Sequence, residues 1–476
     1  MRILLLIVLF IIATIPLLFA AVEPWIWSVY GLLMMVSFVV YLWSNNDTTD
    51  VPVSAVPTLL VGLFFVWSFV LSLPIPFSAV STLSPVRAEI LSQARRLADT
   101  APAWETLSYS PKTALAWWSF LLSLALFFVV LKGLGRHRKV RHRIVLVMIA
   151  IGLLESVYGL IQTLMPSMGV LWVDYIDSYL GTARGTFINR NNFAGHIEMI
   201  WPLALGVALS MTGRVSSLKE ALNSEKVNRQ ALMALGLIVL LMALVFTRSR
   251  GGIISGLAGL TVFAFLARKE LKAIAKQTRF LLGGIFVLLS VYMITIGIGP
   301  IVERFLSLRG GGLNRMDIWQ DSLEMVKDHP TGIGLANYET VFTLYNKAAA
   351  TNQTVVYAHN DYLQLLIEAG WVGFACLLGG FFIFMWKSAC GIGKLDVRRD
   401  PLRFYLAVGA FSGLISMAVH GLFDFNFQIP ANVLYFVVLA AILSACTAAG
   451  QTETKGLHRR ATAKSANTLL TKRRSN

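Results

Sequence analysis

The chain has 476 residues, 56% of them hydrophobic and only 14% charged, with a formal net charge of +16. A soluble domain carries roughly 25% charged residues, so a chain this apolar excludes an ordinary water-exposed fold. The excess of basic residues sits in short segments between apolar blocks rather than in one patch, which excludes nucleic acid as the partner and fits membrane orientation instead.

The apolar blocks are about 20 residues long, the length that crosses a hydrocarbon core of roughly 30 Å. In chain order they predict twelve spans, near 3–22, 25–43, 57–77, 113–131, 144–166, 193–212, 231–247, 251–267, 280–299, 362–386, 404–425 and 430–448. The first follows a single basic residue, Arg2, and is longer than a signal-peptide core, so it reads as a span. The chain is therefore expected to be an all-α integral membrane protein. Placing the N-terminus inside puts 28 of the 41 lysines and arginines in the inside segments, Lys132–Arg143 (KGLGRHRKVRHR) most densely. Both termini are then expected in the cytoplasm. The basic, polar segment 451–476 is expected to be a disordered cytoplasmic tail after a membrane domain 1–450. Cys376, Cys390 and Cys446 show no metal-ligand spacing and read as small apolar residues.

Three outside segments are long: 78–112, 167–192 and 301–361. In the last, Met316, Trp319, Leu323 and Val326 fall on one face of a short amphipathic helix, suited to lie on the membrane or cap a cavity. His329-Pro330 should end it, and Gly332 and Gly334 should make a flexible turn.

Polar groups in spans and tight loops are functional candidates by default, because a charge there is costly. Four clusters stand out. Arg184, Asn189, Arg190, Asn191 and Asn192 precede His196 and Glu198 at the mouth of the sixth span. Arginine forks suit phosphate oxygens, or else lipid headgroups. Arg248 and Arg250 flank Ser249 in a tight turn before Gly251-Gly252; they need anionic partners, either a ligand phosphate or a structural carboxylate. His359, Asn360 and Asp361, with Glu368 two turns on, offer a base and an orienting carboxylate, or simply a helix cap. His420 and Asp424, four apart, share a helix face as a site pair or a buried structural one. Arg315 and Asp317 open the amphipathic helix. Loop parity sends all these clusters to the outer face. Together they suit an anionic, hydroxyl-rich ligand that arrives through the membrane, such as a lipid-linked pyrophosphate carrying a sugar. Neither a zinc pattern nor a nucleotide-binding loop is visible, so no metal and no cofactor are expected.

The strings GTFINRNNFAGHIEM (185–199), FTRSRGG (246–252), RMDIWQDSLEMVKDHPTGIGLANYETVF (315–342) and AHNDYLQLLIEAGWVG (358–373) resemble the O-antigen ligase and O-antigen polymerase superfamily. The resemblance is densest over about 180–390. It implies a GT-C-like membrane glycosyltransferase with a long periplasmic loop, about 301–361, carrying short amphipathic helices. It implies a bacterial inner-membrane location, a periplasmic site and an undecaprenyl-pyrophosphate-linked glycan as donor. The acceptor would be lipid A core or a growing glycan chain, with membrane lipids as further partners. Carried over, His359 would position or deprotonate the acceptor, and Arg250, Arg248 and either Arg184 or Arg190 would hold pyrophosphate. Arg315 matches the arginine that opens the third string. Asn360, Asp361, His420 and Asp424 complete the expected substrate-binding set. A polytopic transporter of lipid-linked sugar or a small anion is the alternative, though transporters favour repeats and midplane polar residues, and the sequence displays neither.

Overall fold

The computed structural model describes residues 2–44, 55–99, 103–173, 179–211, 225–273, 315–347 and 354–448, with Val287 and Val291 besides. The span expected at 280–299 and the tail 451–476 lie outside these residues. Among those described, 77% helix and one two-residue strand pair make up the regular structure. Helices are the economical solution in lipid, because each satisfies its own backbone donors and acceptors.

In chain order the helices are α1 (Arg2–Thr14), α2 (Pro24–Ser44), α3 (Ala55–Val70), α4 (Phe77–Leu83), α5 (Pro85–Ala98), α6 (Pro111–Gly135), α7 (Arg138–Leu164), α8 (Arg190–Ser210), α9 (Glu225–Phe246), α10 (Arg250–Leu266), α11 (Arg268–Ala273), α12 (Arg315–Asp328), α13 (Tyr338–Phe342), α14 (Asp361–Ile392) and α15 (Pro401–His420). The last, α16, is Pro430–Ala448. Eight of these are long and apolar enough to cross a membrane: α2, α6, α7, α8, most of α9, α14, α15 and α16. Three shorter apolar helices, α1, α10 and α3, fall on expected spans.

α8 is the central helix and is almost wholly buried. It packs against α15, α9, α10 and α7. Its contact with α15 is close because glycines remove side chains where the backbones meet. A Cβ on Gly206 would fall 2.5 Å from the Tyr405 carbonyl, and one on Gly409 would fall 2.6 Å from the Pro202 carbonyl. Lipid offers helices no hydrophobic drive to associate, so such van der Waals closeness is what joins them.

At one end of the bundle stands a folded unit made from the segments expected to be outer loops. Strands Ile75–Pro76 and Trp104–Glu105 pair antiparallel and bracket the α4–α5 hairpin. α12 and α13 share a core of Ile318, Met325, Val326, Ile333, Tyr338, Val341 and Phe342. α12 ends at Asp328, where His329-Pro330 stops it. The expected apolar face and the face that packs on the protein are different sides of the helix. Met316 and Leu323 are exposed, and the buried face is Ile318, Asp321, Ser322, Met325 and Val326. The helix is held by its neighbours through that second stripe, in which Ser322 and Tyr338 share a 2.7 Å hydrogen bond.

Nor do Gly332 and Gly334 make a loose turn. α14 breaks at Gly370, whose φ is +66°. The segment 330–334 runs alongside the break: Ile333 N donates to Ile367 O at 3.1 Å, Gly334 N to Glu368 O at 3.0 Å, and Trp371 N to Pro330 O at 3.1 Å. Trp67 Nε1 takes the remaining Ala369 carbonyl at 2.8 Å. The carbonyls of Ile367, Glu368 and Ala369 at the break are thus each used, as a buried backbone requires. A Cβ on Gly370 would sit 2.3 Å from the Thr331 carbonyl.

Candidate functional site

His359, Arg315 and Asp424 meet at the junction of α12, α14 and the turn after α15. His359 precedes α14, with Asn360 as the helix cap: its Oδ1 accepts from Tyr362 N and Leu363 N, both at 3.1 Å. The backbone at His359 is left-handed, φ +51°, a conformation costly for a side chain of this size and held only where the surroundings over-determine it. Trp319 Nε1 grips the Ala358 carbonyl at 2.9 Å on one side, and the Asn360 cap fixes the other.

The His359 ring stands edge-on to Phe425, which stacks on Tyr357. His359 Nδ1 lies 3.3 Å from Asp424 Oδ1. Arg315 reaches the other carboxylate oxygen at 3.2 Å and also donates to the Phe423 carbonyl. The Asp424 side chain is 3% exposed, so burial alone would raise its pKa. The hydrogen bond from His359 and the Arg315 guanidinium, with His420 nearby, outweigh that and hold it below the usual carboxylate range. An ionised carboxylate only accepts, so Nδ1 carries the proton and Nε2 is left as the basic nitrogen. Among the described residues no group bonds Nε2, and the side chain is 30% exposed.

Asp361 is bolted to the same turn: its backbone N donates to Gly421 O at 2.8 Å, and its Oδ2 accepts from Phe427 N at 3.1 Å. His420 and Asp424 stay near each other, but their side chains take different partners. α15 ends at His420, and the turn that follows swings Asp424 toward His359, while His420 Nδ1 faces Glu198 on α8 at 3.1 Å.

The arginines gather at helix starts. Arg250 opens α10, capped by Ser249, whose Oγ accepts from Gly252 N at 3.2 Å. Arg190 opens α8, capped by Asn189, and its guanidinium stands 5.2 Å over Tyr179. α10 and α8 start side by side, since a Cβ on Gly252 would meet Ala194 at 2.6 Å. Two helix N-termini thus lie next to each other, and the positive ends of their dipoles favour an anion nearby. Arg248 is exposed in the intervening turn with φ +51°. Gly251 packs on the His420 ring, which joins this arginine turn to the Asp424 turn. Arg184 sits apart. It is one of the largest fully buried side chains, with Nη2 3.5 Å from Met168 O and its backbone N bonded to Gln162. Asn192 also turns inward, onto Asn426.

Sequence reasoning missed Phe425 and Trp319 as the braces of His359, and Glu198 as the partner of His420. No local signal marks these contacts, because each joins segments 39 or more positions apart.

A many-helix membrane protein with a histidine–carboxylate pair beside clustered arginines at one end of its bundle defines the class. Residues 235–378 match the family model described as O-Antigen ligase, a match over under a third of the chain that supports a likeness to the O-antigen ligase and polymerase family. The match takes in Arg248, Arg250, Arg315, His359, Asn360 and Asp361, and leaves Arg184, Arg190, His420 and Asp424 outside. No curated protein matches the chain.

Proposed function

We propose that the protein transfers a glycan from undecaprenyl pyrophosphate to an acceptor hydroxyl at the periplasmic face of the bacterial inner membrane, with both termini in the cytoplasm. The acceptor is lipid A core or the end of a growing glycan. The observation that carries this reading is the His359–Asp424 pair, its Nε2 unbonded among the described residues, at the same end of the bundle as the starts of α8 and α10.

In the reaction the acceptor oxygen bonds to the anomeric carbon while the bond from that carbon to pyrophosphate breaks. His359 Nε2 takes the hydroxyl proton, and Asp424 stabilises the imidazolium that results. Negative charge gathers on departing undecaprenyl pyrophosphate. Arg250, Arg248 and Arg190, with the two helix N-termini, stabilise it there. A base and a leaving-group site on opposite sides of the sugar give inversion. Arg315 serves this site by holding Asp424, and Asn360 and Asp361 by fixing the backbone around His359.

Reconstitution with undecaprenyl-pyrophosphate glycan and candidate acceptors tests the reading. A product ladder means a polymerase, and a single addition to lipid A core means a ligase. Vesicle uptake without product would mean a transporter. His359→Ala and Arg250→Ala should each abolish transfer while the protein still inserts; full activity in both would overturn the roles assigned to these two side chains.

A further inference from the structure

Glu198 and His420 form the buried polar pair that the chemistry above leaves unused. Both side chains are fully buried, and His420 Nδ1 lies 3.1 Å from each oxygen of the Glu198 carboxylate. Such a pair costs desolvation that an apolar residue of similar volume would avoid, so packing alone does not explain it.

Its neighbours do. A Cβ built on Gly251 would fall 3.0 Å from both Cδ2 and Nε2 of His420, so the imidazole edge lies against the first turn of α10, beside Arg250. The His420 carbonyl accepts from Phe423 N at 2.8 Å and from Asp424 N at 3.1 Å, so the same residue starts the turn that delivers Asp424 to His359. His420 therefore touches the arginine turn with its side chain and the carboxylate turn with its backbone. Glu198, planted on the central helix eight residues after Arg190, fixes the ring orientation that makes the first of these contacts and anchors the residue that makes the second.

We infer that Glu198, acting through His420, is a positioning residue: it sets the spacing between the Arg248–Arg250 turn and the His359–Asp424 pair. This rests on the function proposed above. A displacement of about 1 Å between reacting groups can cost on the order of 10²-fold in rate, so loss of the pair should be felt in kcat.

The test uses the full-length protein in lipid nanodiscs, with two readouts: binding of undecaprenyl pyrophosphate itself, and kcat for glycan transfer. Glu198→Ala should weaken binding several-fold and lower kcat by about 10²-fold. Glu198→Gln, which still accepts from Nδ1–H, should restore most of both. His420→Asn, whose amide nitrogen keeps the bond to Glu198 but which lacks the ring edge against Gly251, should not restore them, and neither should His420→Ala. Gly251→Ala should reproduce the Glu198→Ala defect by pushing on the ring, and should add nothing in a His420→Ala background. This last comparison needs no change at Glu198, so it holds even if Glu198→Ala does not fold.

Wild-type binding and transfer in Glu198→Ala, or full additivity of Gly251→Ala with His420→Ala, would overturn the inference. A wild-type protein that binds the lipid, loses it in Glu198→Ala, regains it in Glu198→Gln and yet transfers nothing would uphold the positioning role and reject the transfer reading. Failure of the folded wild type to bind or transfer would reject both.

Discussion

At the scale of single residues, His359 combines a strained backbone with a bonded Nδ1 and an Nε2 left unbonded among the described residues. Two predictions follow from that combination. Asp424→Asn would present an amide N–H to Nδ1, move the ring proton to Nε2 and remove the base; kcat should fall about 10²- to 10⁴-fold, with little change in donor binding. His359→Asn tolerates the left-handed backbone better than His359→Ala, since asparagine is enriched there. It should therefore fold normally, by thermal unfolding, and still transfer no glycan. The sequence marks His359, Arg250, Arg315 and Asp424 as polar residues at apolar boundaries, and that is as far as spacing alone reaches. It pairs His420 with Asp424 because four residues make a helical turn. The structure gives their side chains different partners because α15 stops at His420, and a long-range contact with α8 decides where that ring points.

At the scale of elements, the broken α14 and the segment 330–334 act as one piece. Gly370→Ala adds a side chain at a left-handed φ and against the Thr331 carbonyl. It should destabilise the α12–α13 unit by about 1–3 kcal/mol or more, seen as faster proteolysis within 315–347 and reduced transfer. A second junction joins this unit to the α4–α5 hairpin. His329 is buried between Ser84 (3.3 Å) and Tyr345 (3.0 Å), with Tyr109 at 3.5 Å. Burial lowers its pKa from 6.5 to about 4, Asp328 pulling the other way and Arg87 adding to the fall. The unfolded chain therefore binds more protons than the folded one between those values. Stability from the neutral ring is complete above pH 6.5 and is lost as pH falls toward about 4, by about 3 kcal/mol at most. His329→Gln should flatten that slope in a pH series of thermal unfolding. Of all this, the sequence shows the helix stop at His329-Pro330 and a glycine-rich turn. It does not show what the glycines are for, because Gly332, Gly334 and Gly370 need one another only after 330–334 has met α14. The buried stripe of α12 departs from the apolar face that spacing predicts for a related reason: its partners, α13 and the start of α14, supply a polar as well as an apolar contact.

For the whole molecule, apolar blocks are the strongest signal a sequence carries: eight of the twelve expected spans fall on helices long and apolar enough to cross a membrane, and three more overlap shorter apolar helices. Loop parity sends the candidate clusters to one end of the bundle, and the Gly251–His420 and Asp424–His359 contacts bring three of those clusters together without reference to any membrane. Which side that end faces rests on the distribution of lysine and arginine. Reporter fusions after Lys347 and after Arg399 should therefore report opposite compartments, periplasm for the first and cytoplasm for the second; the same compartment for both would break the proposed orientation. The carboxylate that orients His359 is supplied 65 positions later, from the turn between α15 and α16. A ribosome feeding this chain into the bilayer thus delivers the histidine and most of the arginines first, and withholds Asp424 until the penultimate helix has been inserted. A nascent or truncated chain that ends before that turn lacks the carboxylate that orients His359, so under the function proposed above the base is without its partner until assembly is all but finished.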